Sequence, residues 1–169
     1  MIYIYNCYGG THTSSLASEI HLKRLPVDRQ PTDNEILNAR YFNKLNYQDM
    51  RKLIFRGIDD EGHRVYTLGR GTTKTLIPFL ENLLNILHNE CGFSESFVLS
   101  NMSHTVPPAM TMGGFFSRGL GIDFIGVPLL VIGAKQAYKR IIDVVNETRE
   151  KAIGFSGPVL ILDNKDKQK

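Results

Sequence analysis

The stretch that decides the fold is residues 1–16, which read MIYIYNCYGGTHTSSL. The run Met1–Tyr5 has the β-branched and aromatic composition of a buried strand. Residues 6–15 are rich in glycine and in hydroxyl side chains, and helix-like sequence begins at Leu16. Free N–H groups and the positive end of a helix dipole meet at such a junction, so an anion is its natural ligand. The stretch therefore predicts a strand-turn-helix unit that binds a phosphate-like group.

The composition is that of one globular α/β domain spanning residues 1–169, with residues 164–169 expected to be a flexible charged tail. The net charge is only +3 and the basic residues are dispersed, which argues against nucleic-acid binding. We find no signal peptide and no run long enough to span a membrane. Two cysteines, Cys7 and Cys91, make no disulfide framework. We therefore expect a cytoplasmic protein that does not bind membranes.

The remaining helices and strands are predicted from the spacing of apolar residues along the chain. An Asp-Asp-Glu-Gly segment at residues 59–62 predicts a β-hairpin between residues 52–58 and 63–68. Helices are predicted over residues 16–25, 31–44 and 134–148, and from Leu76 onward. Buried strands at Ile2–Tyr5, Phe97–Leu99 and Leu129–Ile132 are expected to be adjacent and parallel. The predicted fold class is a three-layer α/β fold: a mostly parallel sheet with helices on both faces and one inserted hairpin.

The turn matches no common phosphate loop. No lysine lies near Gly10, which excludes a Walker loop, and the third glycine of a dinucleotide fingerprint is absent. A cysteine-phosphatase loop needs arginine where this chain has Thr13. The spacing from Cys7 through Gly10 to Thr13 and Ser14 resembles the phosphocysteine loop of phosphotransferase-system enzyme IIB components for lactose and cellobiose-type sugars. That resemblance implies a cysteine that ends the first strand, with small and hydroxyl residues around a phosphate. It covers the loop alone and carries no sugar-transport role.

Over its whole length the chain resembles a domain family of unknown function found in spore-forming bacteria. The likeness is carried by residues 5–14, 59–70 and 113–118. This resemblance supplies no activity, so the chemistry is argued from residue types.

Cys7 is the candidate nucleophile, because a helix N-terminus favours thiolate. His12 and His104 are candidate acid/base groups, and the alternative for Cys7 is a small buried core residue. The candidate anion-binding residues are Gly9, Gly10, Thr11, Thr13 and Ser14. The alternative role for the hydroxyl residues among them is helix capping. Replacing Gly10 with valine is expected to block an anion without unfolding the domain.

Other candidates should reach the same sheet edge, because ligands gather beyond the carboxyl ends of parallel strands. The loops after Ser100 and Ile132 are expected there. Arg70, at a second glycine-rich helix start, and Arg118, in a flexible aromatic segment, are candidates to bind the anion. The alternative for the segment around Arg70 is a tight turn after the hairpin, with Thr72 or Thr73 as a helix cap. The histidines and cysteines lack the close pairing of zinc ligands, so we expect no metal and no cofactor.

Two main functions fit these residues. The first is a cytosolic α/β protein with an anion-binding loop at residues 7–15 that acts on a phosphorylated small molecule. The second is a non-enzymatic regulatory domain that binds a ligand or a partner. A structural subunit is a third class, with Phe115 and Phe116 as a self-association surface in a homo-oligomer.

Overall fold

A five-stranded, mostly parallel sheet forms the centre of the protein in a computed structural model that describes residues 1–165. The strands lie in the order β2-β3-β1-β4-β5. Strand β1 is central and runs parallel to β3 and β4, while β5 is parallel to β4 and β2 is antiparallel to β3. The strands are β1 (Ile2–Cys7), β2 (Leu53–Ile58), β3 (Arg64–Gly69), β4 (Phe97–Asn101) and β5 (Val159–Leu162).

Helices cover both faces of this sheet. They are α1 (Thr13–His21), α2 (Asp33–Asn38), α3 (Leu76–Cys91), α4 (Pro108–Gly114) and α5 (Asp123–Ala152). Helices α1, α2, α4 and α5 share one buried core with Tyr3 and Tyr5 of β1. Helix α3 packs on the other face, against Ile2 and Ile4. The residues of β1 contribute alternately to the two cores, because successive side chains of a strand point to opposite faces of the sheet. The three-layer α/β fold predicted from the sequence is confirmed.

The strand predicted at Leu129–Ile132 is wrong, because those residues belong to α5. A short apolar run has no period that separates a strand from a buried helix. Here the run packs against another helix: a Cβ on Gly133 would lie 2.6 Å from the amide nitrogen of Met110 in α4. Strand β3 takes the place beside β1. The loop after Ile132 is therefore absent from the sheet edge, and Lys135 pairs with Asp33 instead.

Several helix boundaries differ from the prediction. Helix α5 spans Asp123–Ala152 instead of residues 134–148, α1 ends at His21 instead of residue 25, and α2 begins at Asp33 instead of residue 31. Helix α1 begins at Thr13, three residues before Leu16, and α2 ends at Asn38. Beyond α2 the chain turns sharply, with Tyr41 and Asn43 at positive φ, which stops the helix predicted to reach residue 44.

The C-terminal segment returns to the sheet. Asn164 is buried and donates to the Ser100 hydroxyl at 3.0 Å and to the Asn101 carbonyl at 3.1 Å. Lys165 pairs with the Asp163 carboxylate at 2.7 Å, and the last four residues of the predicted tail, 166–169, lie outside the described residues. None of the helices in residues 1–165 combines the length and the apolar content that crossing a membrane requires.

Candidate functional site

The glycines of the turn bring two backbones into contact. Gly10 has φ +70°, and a Cβ on it would lie 2.6 Å from the amide nitrogen of Gly69. A Cβ on Gly69 would in turn lie 2.8 Å from the Gly9 carbonyl. The end of β3 and the turn after β1 therefore touch without side chains between them. This contact explains Gly10 and Gly69 independently of any ligand.

Cys7 ends β1, and its buried sulfur lies inside the turn. The Gly10 N–H donates to Sγ at 3.2 Å, and the Ser14 hydroxyl contacts Sγ at 3.2 Å. Within the described residues, neither predicted acid/base histidine is hydrogen-bonded to this sulfur. The structure therefore places the candidate nucleophile at the amino end of α1 without a histidine partner.

The hydroxyl groups predicted to bind the anion have protein partners. Thr11 donates to the Tyr41 carbonyl at 2.8 Å and accepts from the amides of Lys44 and Leu45. Thr13 donates to the Met102 carbonyl at 3.2 Å. These hydrogen bonds connect the turn to the loop after α2 and to Met102, the residue that follows β4. No side chain in the described chain caps α1, whose N-cap residue is His12.

A cavity of about 590 Å³ opens against this amino end of α1. Of the residues predicted for the site, those in its wall are Cys7, Gly9, Thr11, His12, Thr13 and Arg118. Gly10 and Ser14 lie behind the wall, against the Cys7 sulfur. Much of the remaining surface is apolar. It comes from the loop after α2, from the segment between β4 and α4, from α4 itself and from the turn that follows α4, through Leu45, Tyr47, Met50, Val106, Met110 and Phe115.

His12 is part of the cavity wall, and its side chain is neutral. Its Nε2 lies 3.2 Å from Oδ1 of Asn43, and its ring meets the edge of Phe42 at 5.7 Å. Burial lowers the pKa of His12 to about 4; the Asn43 hydrogen bond opposes this shift and the Arg118 charge adds to it. The imidazole is therefore uncharged at neutral pH, and among residues 1–165 only Arg118 brings a positive side-chain charge to the wall.

Arg70 and His104 lie outside the group of residues that form the cavity wall. Arg70 donates to Oδ1 of Asn101 at 2.9 Å and to the Ser103 hydroxyl at 2.7 Å. His104 lies 3.5 Å from the Asp163 carboxylate. Both reach the carboxyl edge of the sheet, where they join the ends of β3, β4 and β5. Ser103 belongs to the cavity wall, so Arg70 contacts the site through that residue.

Sequence reasoning missed the loop at residues 39–50. Its Asn43 bonds to His12 through its side chain, and its carbonyl accepts from Arg118. The signal available in the sequence was weak: asparagine is one of the few residues that adopts positive φ readily, and Asn43 has φ +52°. Across residues 1–165, no cluster of three or more histidine, cysteine, aspartate or glutamate side chains is arranged to hold a metal ion.

Comparison with known proteins identifies the family but no activity. No curated protein and no solved structure matches the chain. The model of a family described as "Protein of unknown function (DUF3189)" matches residues 2–150. This match adds no support for the likeness to enzyme IIB or for an origin in spore-forming bacteria. Since it spans most of the 169 residues, the chain belongs to the DUF3189 family.

Proposed function

We propose that the protein binds an anionic small molecule, of the phosphorylated class, in the cavity at the amino end of α1. The observation that carries this proposal is the cavity's position against a helix end that no described side chain caps. The first N–H groups of a helix lack intrahelical partners and carry partial positive charge. Arg118, in the same wall, adds a full positive charge.

The apolar walls indicate that the ligand has an organic body as well as an anionic group. Pockets for small molecules commonly measure about 300–1,000 Å³ and combine apolar walls with a few placed polar groups. This cavity, at about 590 Å³, fits that description. Tyr47, Met50 and Phe115 offer the surface against which such a body would pack. The free thiols of Cys7 and Cys91 suit the reducing cytoplasm, where we place this activity.

Phenyl phosphate is the probe for this proposal, because it joins an apolar ring to a phosphate. Titration followed by amide NMR should shift the signals of residues 9–14. Arg118→Gln should weaken binding by about tenfold or more, since hydrogen bonds to charged groups are worth roughly 1.5–3 kcal/mol. Lys139→Gln, which removes an exposed charge from α5, is the matched control and should leave the affinity unchanged. Equal weakening by both variants, or no shifts in residues 9–14, would contradict the site.

A second function, phosphoryl transfer through Cys7, is favoured by the two groups that contact its sulfur. The Gly10 N–H and the Ser14 hydroxyl orient Sγ within the cavity wall. In such a reaction the sulfur–phosphorus bond forms as the bond from phosphorus to the leaving oxygen breaks. The loop's resemblance to the phosphocysteine loop of enzyme IIB components suggests the same step.

Alkylation by iodoacetamide distinguishes a reactive Cys7 from a core residue. Cys7 should be labelled in the folded protein through the cavity, whereas Cys91 is exposed and serves as the internal reference. Phenyl phosphate at ten times its dissociation constant should slow labelling of Cys7 by about tenfold and leave Cys91 unaffected. Cys7→Ser and Cys91→Ser variants separate the two signals. A Cys7 that is labelled only after unfolding would leave the protein a non-enzymatic binding domain.

A further inference from the structure

A chain of hydrogen bonds links His12 to a surface carboxylate. His12 Nε2 meets Asn43 Oδ1 at 3.2 Å, and Asn43 Nδ2 donates to the Ser117 hydroxyl at 2.8 Å. The Ser117 hydroxyl donates in turn to the carboxylate of Asp123, at the start of α5. The three partners come from the loop after α2, the turn after α4 and α5, so only the folded chain assembles them.

The carboxylate sets the direction of every bond in the chain. Carboxylate oxygens accept hydrogen bonds, so the Ser117 hydroxyl must be the donor in its hydrogen bond to Asp123. Its oxygen then accepts from the Asn43 NH₂ group, which turns the Asn43 carbonyl oxygen toward His12. That oxygen needs a donor, so the proton of the neutral His12 ring is on Nε2. The other ring nitrogen, Nδ1, keeps a lone pair and has no hydrogen-bond partner among residues 1–165.

We infer that Asp123, Ser117 and Asn43 hold His12 as a hydrogen-bond acceptor in the cavity wall, so that the site selects oxyanions that carry a proton. This inference rests on the proposed function and names its ligand class as a protonated phosphate in preference to a sulfate. Asp123 and Ser117 act through His12 and are positioning residues.

The selection has a simple physical basis. A phosphate monoester near pH 6 is close to its second ionisation, so a large share of it retains a P–OH group. A sulfate ester carries the same single charge with no proton. The P–OH group can donate to Nδ1 of His12, whereas a sulfate oxygen would face the lone pair. In the ligand-free protein His12 is neutral at this pH, because burial lowers its pKa to about 4. The phosphate gains one hydrogen bond to His12 Nδ1 and avoids the repulsive contact that the sulfate would make there. We therefore expect the site to bind the phosphate at least about tenfold more tightly than the sulfate.

The tautomer is measured directly by long-range proton–nitrogen NMR of the ligand-free protein. The wild-type His12 should carry its proton on Nε2. Asp123→Lys replaces an acceptor with a donor, which should reverse the chain and move the proton to Nδ1. The conservative Asp123→Asn variant, which can accept or donate, should show an increased Nδ1–H fraction. Asp143→Lys, at an exposed position of α5, is the matched control and should not change the tautomer. A wild-type Nδ1–H form, or a tautomer indifferent to both Asp123 variants, would overturn the relay.

Binding at about pH 6 then tests the selection with phenyl phosphate and phenyl sulfate. The wild type and Asp143→Lys should prefer phenyl phosphate by at least about tenfold, and Asp123→Lys should lose most of that preference. Equal affinities in the wild type would overturn the selection while leaving the proposed anion site intact. If neither compound binds, the proposed function and the selection are both overturned.

Discussion

Replacing Gly10 with valine should destabilise the protein by about 4 kcal/mol. The residue has φ +70°, where a β-branched side chain is strained, and its Cβ would lie 2.6 Å from the backbone of Gly69. Backbone atoms cannot move aside as the end of a side chain can, so the overpacking adds roughly 1–3 kcal/mol to the strain. The close approach to Gly69 therefore replaces the sequence-based expectation that the domain would stay intact with an expected loss of stability, while the expectation that this variant blocks an anion stays a prediction.

Gly121 provides the control for this result. Its φ is +71°, almost the same as that of Gly10, but a Cβ there would meet nothing within 4 Å. Gly121→Val should therefore carry the conformational strain alone, at about 1–3 kcal/mol. Urea unfolding of both variants gives the difference. Equal losses of stability would show that the turn and the end of β3 are not held in contact.

Replacing Arg56 with methionine should cost about 3–5 kcal/mol, the usual result of breaking a buried ion pair from one side. The Arg56 side chain is wholly buried, with Nη2 3.4 Å from the Glu19 carboxylate and 2.8 Å from the Ser15 hydroxyl. Burial lowers the pKa of the Arg56 guanidinium, and the Glu19 charge opposes that shift. Without the Arg56 cation, the nearly buried Glu19 keeps one ion pair within the described part of the chain, to Arg24 at 3.5 Å.

Three further variants test that explanation by chemical denaturation. Adding Glu19→Gln to Arg56→Met should recover part of the lost stability, because the orphaned charge disappears. Arg29→Met breaks an exposed pair with Glu35 and should cost less than about 1 kcal/mol. Glu19→Gln alone completes the cycle, and a double variant whose loss of stability equals the sum of the two single losses would show that Arg56 and Glu19 are not coupled.

The sequence predicted the individual strands and helices better than it predicted which of them lie side by side in the fold. The strand Ile2–Tyr5 and the hairpin carry strong local signals, and both are present. The place of β3 beside β1 depends on long-range packing, which no local pattern encodes. The apolar run Leu129–Ile132 was misread because a helix buried against α4 is as apolar as a buried strand.

In the candidate site, too, the sequence predicted the local elements better than the tertiary contacts. The turn from Cys7 to Thr13 could be found from its glycines and hydroxyls, because a strand end and a helix start adjoin in the chain. Asn43 contacts His12, and Ser117 contacts Asn43, through tertiary hydrogen bonds, so their sequence context gave no sign of a role. Arg70 was placed at the correct edge of the sheet, but its side chain turns toward Asn101 and Ser103.

The glycines of α5 have a consequence for the way a ligand would enter. A Cβ on Gly126 would lie 2.5 Å from the amide nitrogen of Ser117, and Gly133 meets Met110 as closely. The segment that carries Phe115 and Arg118 is thus locked to the longest helix of the protein by backbone contact. The cavity wall is therefore formed without a ligand, so for the proposed ligand we expect little loss of ordering entropy on binding and association in a single step without a closing phase.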